Sequence, residues 1–326
     1  MPFNQPLRFV PVFQHYLWGG RRLVELFGKP APEGIPVAES WEVVDHGPHQ
    51  SLVASGPLAG RSLQSLVRES GRELLGGHAP LDQFPLLFKL LDAAQNLSVQ
   101  VHPNDAQAAR LVPPDRGKTE AWVIVHAEPH SRIFAGLRPG VDRRVLEQSL
   151  AAGTAAECLH SFEAKTGDCV FIPAGTVHAL GAGLVVAEIQ QSSNTTFRLF
   201  DWNRLGPDGQ PRPLHIAAAL EVIDFSSGPV MPVTPQPTSD PGVERLVSCD
   251  KFVLDRWNLA DSRSRAVGGD CRLHLVAVLS GRVAIGGDTS TKPLCAGEVV
   301  LLPAAAGSVR LQSRDEAILL DIYLPL

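Results

Sequence analysis

Little in this sequence points to an oxidised, membrane-bound or strongly charged protein. Its 326 residues include five cysteines (Cys158, Cys169, Cys249, Cys271, Cys295), an odd and scattered set without a Cys-x-x-Cys pair. That excludes a disulfide framework and points to reduced, mostly buried thiols in a cytoplasmic protein. Apolar runs such as 273–279 stop far short of the ~20 residues that span a bilayer, so no membrane partner is expected. The opening Met-Pro-Phe-Asn-Gln-Pro has neither the charged nor the apolar region of a signal peptide. Charge of one sign is not in excess either. Lys and Arg number 29 against 34 Asp and Glu, for a net charge of -5 and a pI near 6.1, so no basic field suggests a nucleic-acid partner.

What is present is a globular composition, 44% hydrophobic and 19% charged, with mean hydropathy near zero. The 27 prolines and 29 glycines, set among many short apolar runs, favour β-structure rich in turns. Helices are expected in three main places. One covers 21–27 and ends at Gly28, one covers 62–75 with Ser62 as N-cap, and one covers 142–152 with an acid at its start and Gly153 after its end. Shorter helices are expected over 106–111 and 215–222. The Pro-, Ser- and Thr-rich stretch 226–241 reads as a linker, dividing the chain into 1–235 and 236–326. The acidic and aromatic run Ala38-Glu39-Ser40-Trp41-Glu42 reads at least as readily as a strand with a solvated face as it does as part of the site.

The chemistry concentrates between Gln100 and His178. Gln100 and His102 alternate on one strand and so share a face. Glu120 precedes the apolar run 121–125, and His178 follows the turn Pro173-Ala174-Gly175. Two imidazoles, a carboxylate and an amide oxygen suit one divalent ion, zinc or a first-row neighbour. A single buried histidine is more often a structural hydrogen-bonder, so the weight lies on four donors at strand spacing. Lys89 interrupts the apolar run 84–92, and a buried ammonium is costly without a partner. It either pairs with an acid or faces a cavity that receives an anion. Glu188 and Gln190 share a face of another apolar strand, and Arg198 and Arg204 stand among aromatics, as an anion cradle would have them.

The segment Gly167-x5-Pro173-x-Gly175-x2-His178 is similar to the second motif of cupin barrels. The implied fold is mainly β, two cupin-like (jelly-roll) barrels with a few inserted helices. The frame recurs as Gly297-x5-Pro303-x-Ala305-x2-Ser308, with no histidine at its end, so a second, metal-free barrel is expected over 236–326. The blocks 88–103, 117–122, 171–179 and 188–198, in that order, resemble type I mannose-6-phosphate isomerases of the short bacterial kind.

The resemblance implies a zinc enzyme, one ion per chain, that interconverts mannose 6-phosphate and fructose 6-phosphate through a cis-enediol. It puts the metal ligands on Gln100, His102, Glu120 and His178, and the cations near the sugar phosphate on Lys89, Lys118 and Arg198. The general base stays open between Glu188 and Lys118. Asn194 departs from the family, which usually has aspartate there, and an amide cannot act as a base. The chain is expected to be a monomer or a weak homo-oligomer. Two rivals use the same barrel. One is a dioxygenase-like cupin, against which Gln100 in place of a first histidine argues; the other is a sugar-phosphate-binding protein without turnover.

Overall fold

The computed structural model describes residues 3–206, 209–290 and 292–325, and they are mainly β-strand. Two antiparallel sheets formed by residues 12–200 make the first barrel. The larger has the strand order Cys169–Ile172, Glu120–Ala127, Leu184–Gln191, Leu86–Ala93, Glu39–Val43, Val12–Gln14. The smaller runs Leu159–Glu163, Arg132–Leu137, His178–Leu180, Val99–Val101, Phe197–Phe200. A second pair of sheets, of six and four strands, uses residues 236–323.

Both faces of the large first sheet are covered, which explains why its central strands are nearly continuous apolar runs. In Leu86–Ala93, the side chains of Leu86, Phe88 and Leu90 enter a core shared with Leu254, Leu275, Leu320 and Ile322 of the second barrel. That core also takes Leu63, Leu66 and Leu74 from the helix Leu63–Leu75, which Ser62 caps as the sequence suggests. The opposite face, with Leu91 and Ala93, packs inside the first barrel against Trp122, Ile133, Leu180 and Val186. Leu184–Gln191 alternates in the same way, so Glu188 and Gln190 share the inner face with Leu184 and Val186.

Two expectations need correction. Every residue of Glu39–Val43 is buried, because the strand is hydrogen-bonded to Leu86–Ala93 on one side and Val12–Gln14 on the other, leaving no solvated face. The cysteines are all free, but only Cys158 and Cys169 are buried; Cys271 and Cys295 are exposed. The strand Ser264–Gly268, which has one large apolar side chain, Val267, went unread in the sequence. The helix Arg143–Ala152 puts Leu146 into a separate core on the outside of the small sheet and takes no part in the cavity described below.

Candidate metal centre and its cavity

Strand register lays the site out in rows. Across the small sheet, His178 pairs with Gln100, and Gln100 with Arg198. Across the large sheet, Trp122 pairs with Glu188, and Glu188 with Lys89. Glu120 lies one step along, beside Gln190. A cavity of about 280 Å³ between the sheets is lined by Lys89, Gln100, Lys118, His178, Glu188 and Arg198, among others. That volume is close to the ~300 Å³ lower end of small-molecule sites.

His102, Glu120 and His178 offer ligand atoms that all lie within 4.8 Å of one another, and all three are buried. Each imidazole is oriented from behind. His102 Nδ1 donates to the Thr195 carbonyl at 2.9 Å, and His178 Nδ1 donates to the Thr176 carbonyl at 2.9 Å. Both Nε2 lone pairs therefore face the cluster, as in metal sites where an outer hydrogen bond fixes the tautomer. Burial, then the charge of Lys118, holds His102 well below the ordinary imidazole range, and burial pulls His178 down to about 4. Neutral imidazole is the ligating form.

Glu120 is the strongest indication of an ion. Its two carboxylate oxygens are buried without a well-directed hydrogen bond, although Lys118 Nζ is 2.7 Å from Oε2. A buried carboxylate without sufficient donors is costly, and a divalent ion answers that need. Gln100 stands at the edge of the set. Its amide nitrogen faces His178 Nε2 at 3.3 Å, so a half-turn of the amide is needed to present the oxygen. The donors fit a divalent ion, and Gln100 fits as a fourth ligand after that rotation.

The remaining charges line the walls. Lys89 does both things the sequence allowed: it faces the cavity and pairs with acids, Glu39 at 3.3 Å and Glu188 at 3.2 Å. Lys118 Nζ lies 3.1 Å from His102 Nε2 and 3.7 Å from Glu188. Burial, then the charge of Glu120, raises the Glu188 carboxyl above its usual range against the pull of Lys89 and Lys118. Arg198 reaches the cavity, holding Ser98 Oγ at 3.2 Å and the Pro213 carbonyl at 2.9 Å. Arg204 instead pairs with Asp201 and lines a neighbouring cleft. Asn194 lines the cavity as a neutral group.

Several lining residues had no role assigned from the sequence, Glu39, Trp18 and Arg212 among them. Glu39 lay in a run taken as a surface strand, although its alternation with Trp41 was visible. Trp18 lies in the Gly-rich run Tyr16-Leu17-Trp18-Gly19-Gly20. Arg212 lies between Pro211 and Pro213, with no periodic signal around it.

Residues 7–118 match the family model described as phosphomannose isomerase type I, catalytic domain. Over 316 residues the chain is 35% identical to mannose-6-phosphate isomerase ManA of Bacillus subtilis, covering 97% of this chain and 98% of that protein. It is 34% identical over 284 residues to a mannose-6-phosphate isomerase of Streptococcus mutans, covering 86% and 88%. The crystal structure of the mannose 6-phosphate isomerase from Bacillus subtilis superposes with a TM-score of 0.89 at 30% identity, covering 98% of this chain and all of that one.

Proposed function

The chain belongs to the type I mannose-6-phosphate isomerase family, and from that premise we propose how its own residues carry out the reaction. The enzyme is an aldose–ketose isomerase that interconverts mannose 6-phosphate and fructose 6-phosphate. The observation that carries the assignment of roles is a buried His102–Glu120–His178 set whose His178 lines the same cavity as Glu188.

His102, Glu120 and His178, with the oxygen of Gln100, would hold one zinc per chain. When bound, a zinc with a single anionic ligand supplies Lewis-acid polarisation to the sugar oxygens at C1 and C2. Glu188 takes the proton from one carbon and returns it to the other. Its buried setting raises its pKa toward the working pH, as a general base requires. Lys89, between Glu39 and Glu188, keeps that carboxylate oriented. Lys118 is the alternative base and otherwise moves a proton at the sugar hydroxyls. Lys89, Lys118 and Arg198 make the cavity attractive to a phosphorylated sugar, and Arg198 also steadies negative charge on the enediolate.

We assign the site to residues 1–235 and take 236–326 as a metal-free partner barrel that completes the shared core. A cytoplasmic setting and a monomeric or weakly associated state complete the reading; the free cysteines are in keeping with the former. The test is conversion of mannose 6-phosphate to fructose 6-phosphate by the purified chain, before and after chelation and after zinc is restored. No turnover by the zinc-loaded protein, or turnover indifferent to chelation, would sink the assignment.

A further inference from the structure

The charges of the cavity fall into two groups of opposite balance. Deep in the barrel, Lys89 and Lys118 lie among Glu39, Glu120 and Glu188, with separations of 2.7 to 3.7 Å. Both ammonium groups are therefore already matched by carboxylates, and a phosphate drawn to them would also meet those acids. At the mouth the balance is reversed: among the described residues Arg212 shares its one ion-paired acid, Asp201, with Arg204 of the neighbouring cleft, and Arg198 has none.

Arg212 grips Asp201 with its planar fork, Nε to Oδ2 at 2.7 Å and Nη2 to Oδ1 at 2.5 Å. Arg204 reaches the same Oδ1 at 2.5 Å. Asp201 is thus doubly served, and either arginine can leave while the other keeps it paired. Among the described residues, the Arg198 side chain bonds neutral oxygens, those of Ser98 and Pro213. Burial first, and then the charge of Arg212, lowers the pKa of Arg198, a sign of positive charge not fully neutralised. Arg212 and Arg198 line the same cavity, and Arg198 stands next to the Gln100–His178 row.

We propose that Arg212 seats the phosphate of the sugar phosphate at the cavity mouth, exchanging its fork on Asp201 for phosphate oxygens while Arg204 keeps Asp201 paired. The phosphate then lies at the arginine end of the cavity and C1 and C2 at the histidine end, with Arg198 between them. Arg212 suits the task because a guanidinium fork matches a phosphate edge as it matches a carboxylate. The assignment rests on the isomerase reading but is tested apart from it, since phosphate binding needs no turnover.

The experiment is calorimetric titration of the zinc-loaded enzyme with inorganic phosphate, joined to steady-state kinetics on mannose 6-phosphate. Arg212→Met should weaken phosphate by about tenfold or more, the loss expected for a charge-assisted bond. It should raise KM far more than it lowers kcat. Arg212→Lys should recover part of the loss. Asp201→Asn removes the competing acid and should tighten phosphate, an outcome that a purely structural Arg212–Asp201 clasp does not produce. Phosphate binding by Arg212→Met equal to wild type, or binding by Asp201→Asn that is weaker or unchanged, overturns the proposal. If Arg212→Met fails to fold, the Asp201→Asn titration decides alone. Wild-type enzyme that binds phosphate without isomerising mannose 6-phosphate would sink the isomerase reading instead.

Discussion

Lys118 competes with a metal ion for the same electrons, so removing it should tighten metal binding even as it harms catalysis. Its ammonium is buried, 2.7 Å from Glu120 Oε2 and 3.1 Å from His102 Nε2. A divalent ion held by those two residues must displace both contacts. The contact with His102 is a hydrogen bond to a charged group, and such bonds contribute about 1.5–3 kcal/mol. Losing one such competitor corresponds to about tenfold or more in affinity, since each 1.4 kcal/mol is a factor of ten. Repulsion between an ammonium and a divalent ion acts in the same direction. The opposing effect, loss of a positive neighbour beside Glu120, vanishes once the ion itself neutralises that carboxylate. Lys118→Met preserves the apolar stem, and Lys118→Leu excludes ligation by the thioether. Zinc affinity would be measured by competition with a chromophoric chelator, beside the rate on mannose 6-phosphate. Affinity equal to or below wild type in both variants would refute the competition.

The same variants help to identify the base. Glu188→Gln should lower kcat by about 10²–10⁴-fold with little change in KM; near-normal kcat there, with Lys118→Met inactive, makes the lysine the base. Because Glu188 is raised above the usual carboxylate range, the acid limb of kcat/KM should fall above pH 4.5 and disappear in Glu188→Gln, as a pH–rate series would read. His102→Ala and His178→Ala should abolish turnover with the circular-dichroism spectrum kept, whereas Gln100→Ala, which removes a neutral donor, should be milder. Elemental analysis should find one zinc per chain, and two tightly held ions would contradict the site assignment. In the chelated protein, His178 resists protonation until about pH 4, while the unfolded chain accepts that proton near 6.5. The unfolded state then binds more protons across that window, so stability should fall as pH drops from 6.5 toward 4, by roughly 3 kcal/mol. A Tm that stays level over this range would refute it.

Much of the site could be read in the sequence because strand geometry turns spacing into direction. Gln100 and His102 share a face by alternation, and so do Glu188 and Gln190; the barrel needs only to bring those faces together. Lys89 was conspicuous because a charge inside an apolar strand demands a reason. Other features were hidden by context. The strand Glu39–Val43 carries two acids and a serine and so looks solvated, yet its acids are matched internally, Glu42 by Lys29 at 2.6 Å and Glu39 by Lys89 at 3.3 Å. Arg212 sits between prolines and has no periodic signal; its place follows from the ion pair with Asp201, eleven residues earlier. The shared core between the barrels was likewise out of reach, since periodicity reports that a face is buried but not by what.

The two copies of the Gly-x5-Pro frame separate what such a motif fixes from what it does not. In the first, Gly175 takes φ +88, its amide donates to the His102 carbonyl at 2.8 Å, and the chain leads directly to His178. In the second, Ala305 holds the corresponding place, and the left-handed turn moves to Gly307 at φ +66, immediately before Ser308. Gly297 takes φ +82, as its counterpart Gly167 takes φ +93, and close packing adds a second need for glycine there. A side chain there would run into Phe27, and its carbonyl accepts from Lys29 at 2.7 Å, so it lets the N-terminal segment lie against the second barrel. The nearby His274 is held between Asp321 at 2.8 Å and Asp270 at 3.1 Å, an ion-paired arrangement in which both ring nitrogens are taken. The glycines and proline of the frame thus serve backbone turns and close packing in both barrels. The chemistry depends on whether an imidazole at the end of the turn aims its Nε2 at the ligand cluster, as His178 does and as no residue of the second frame can.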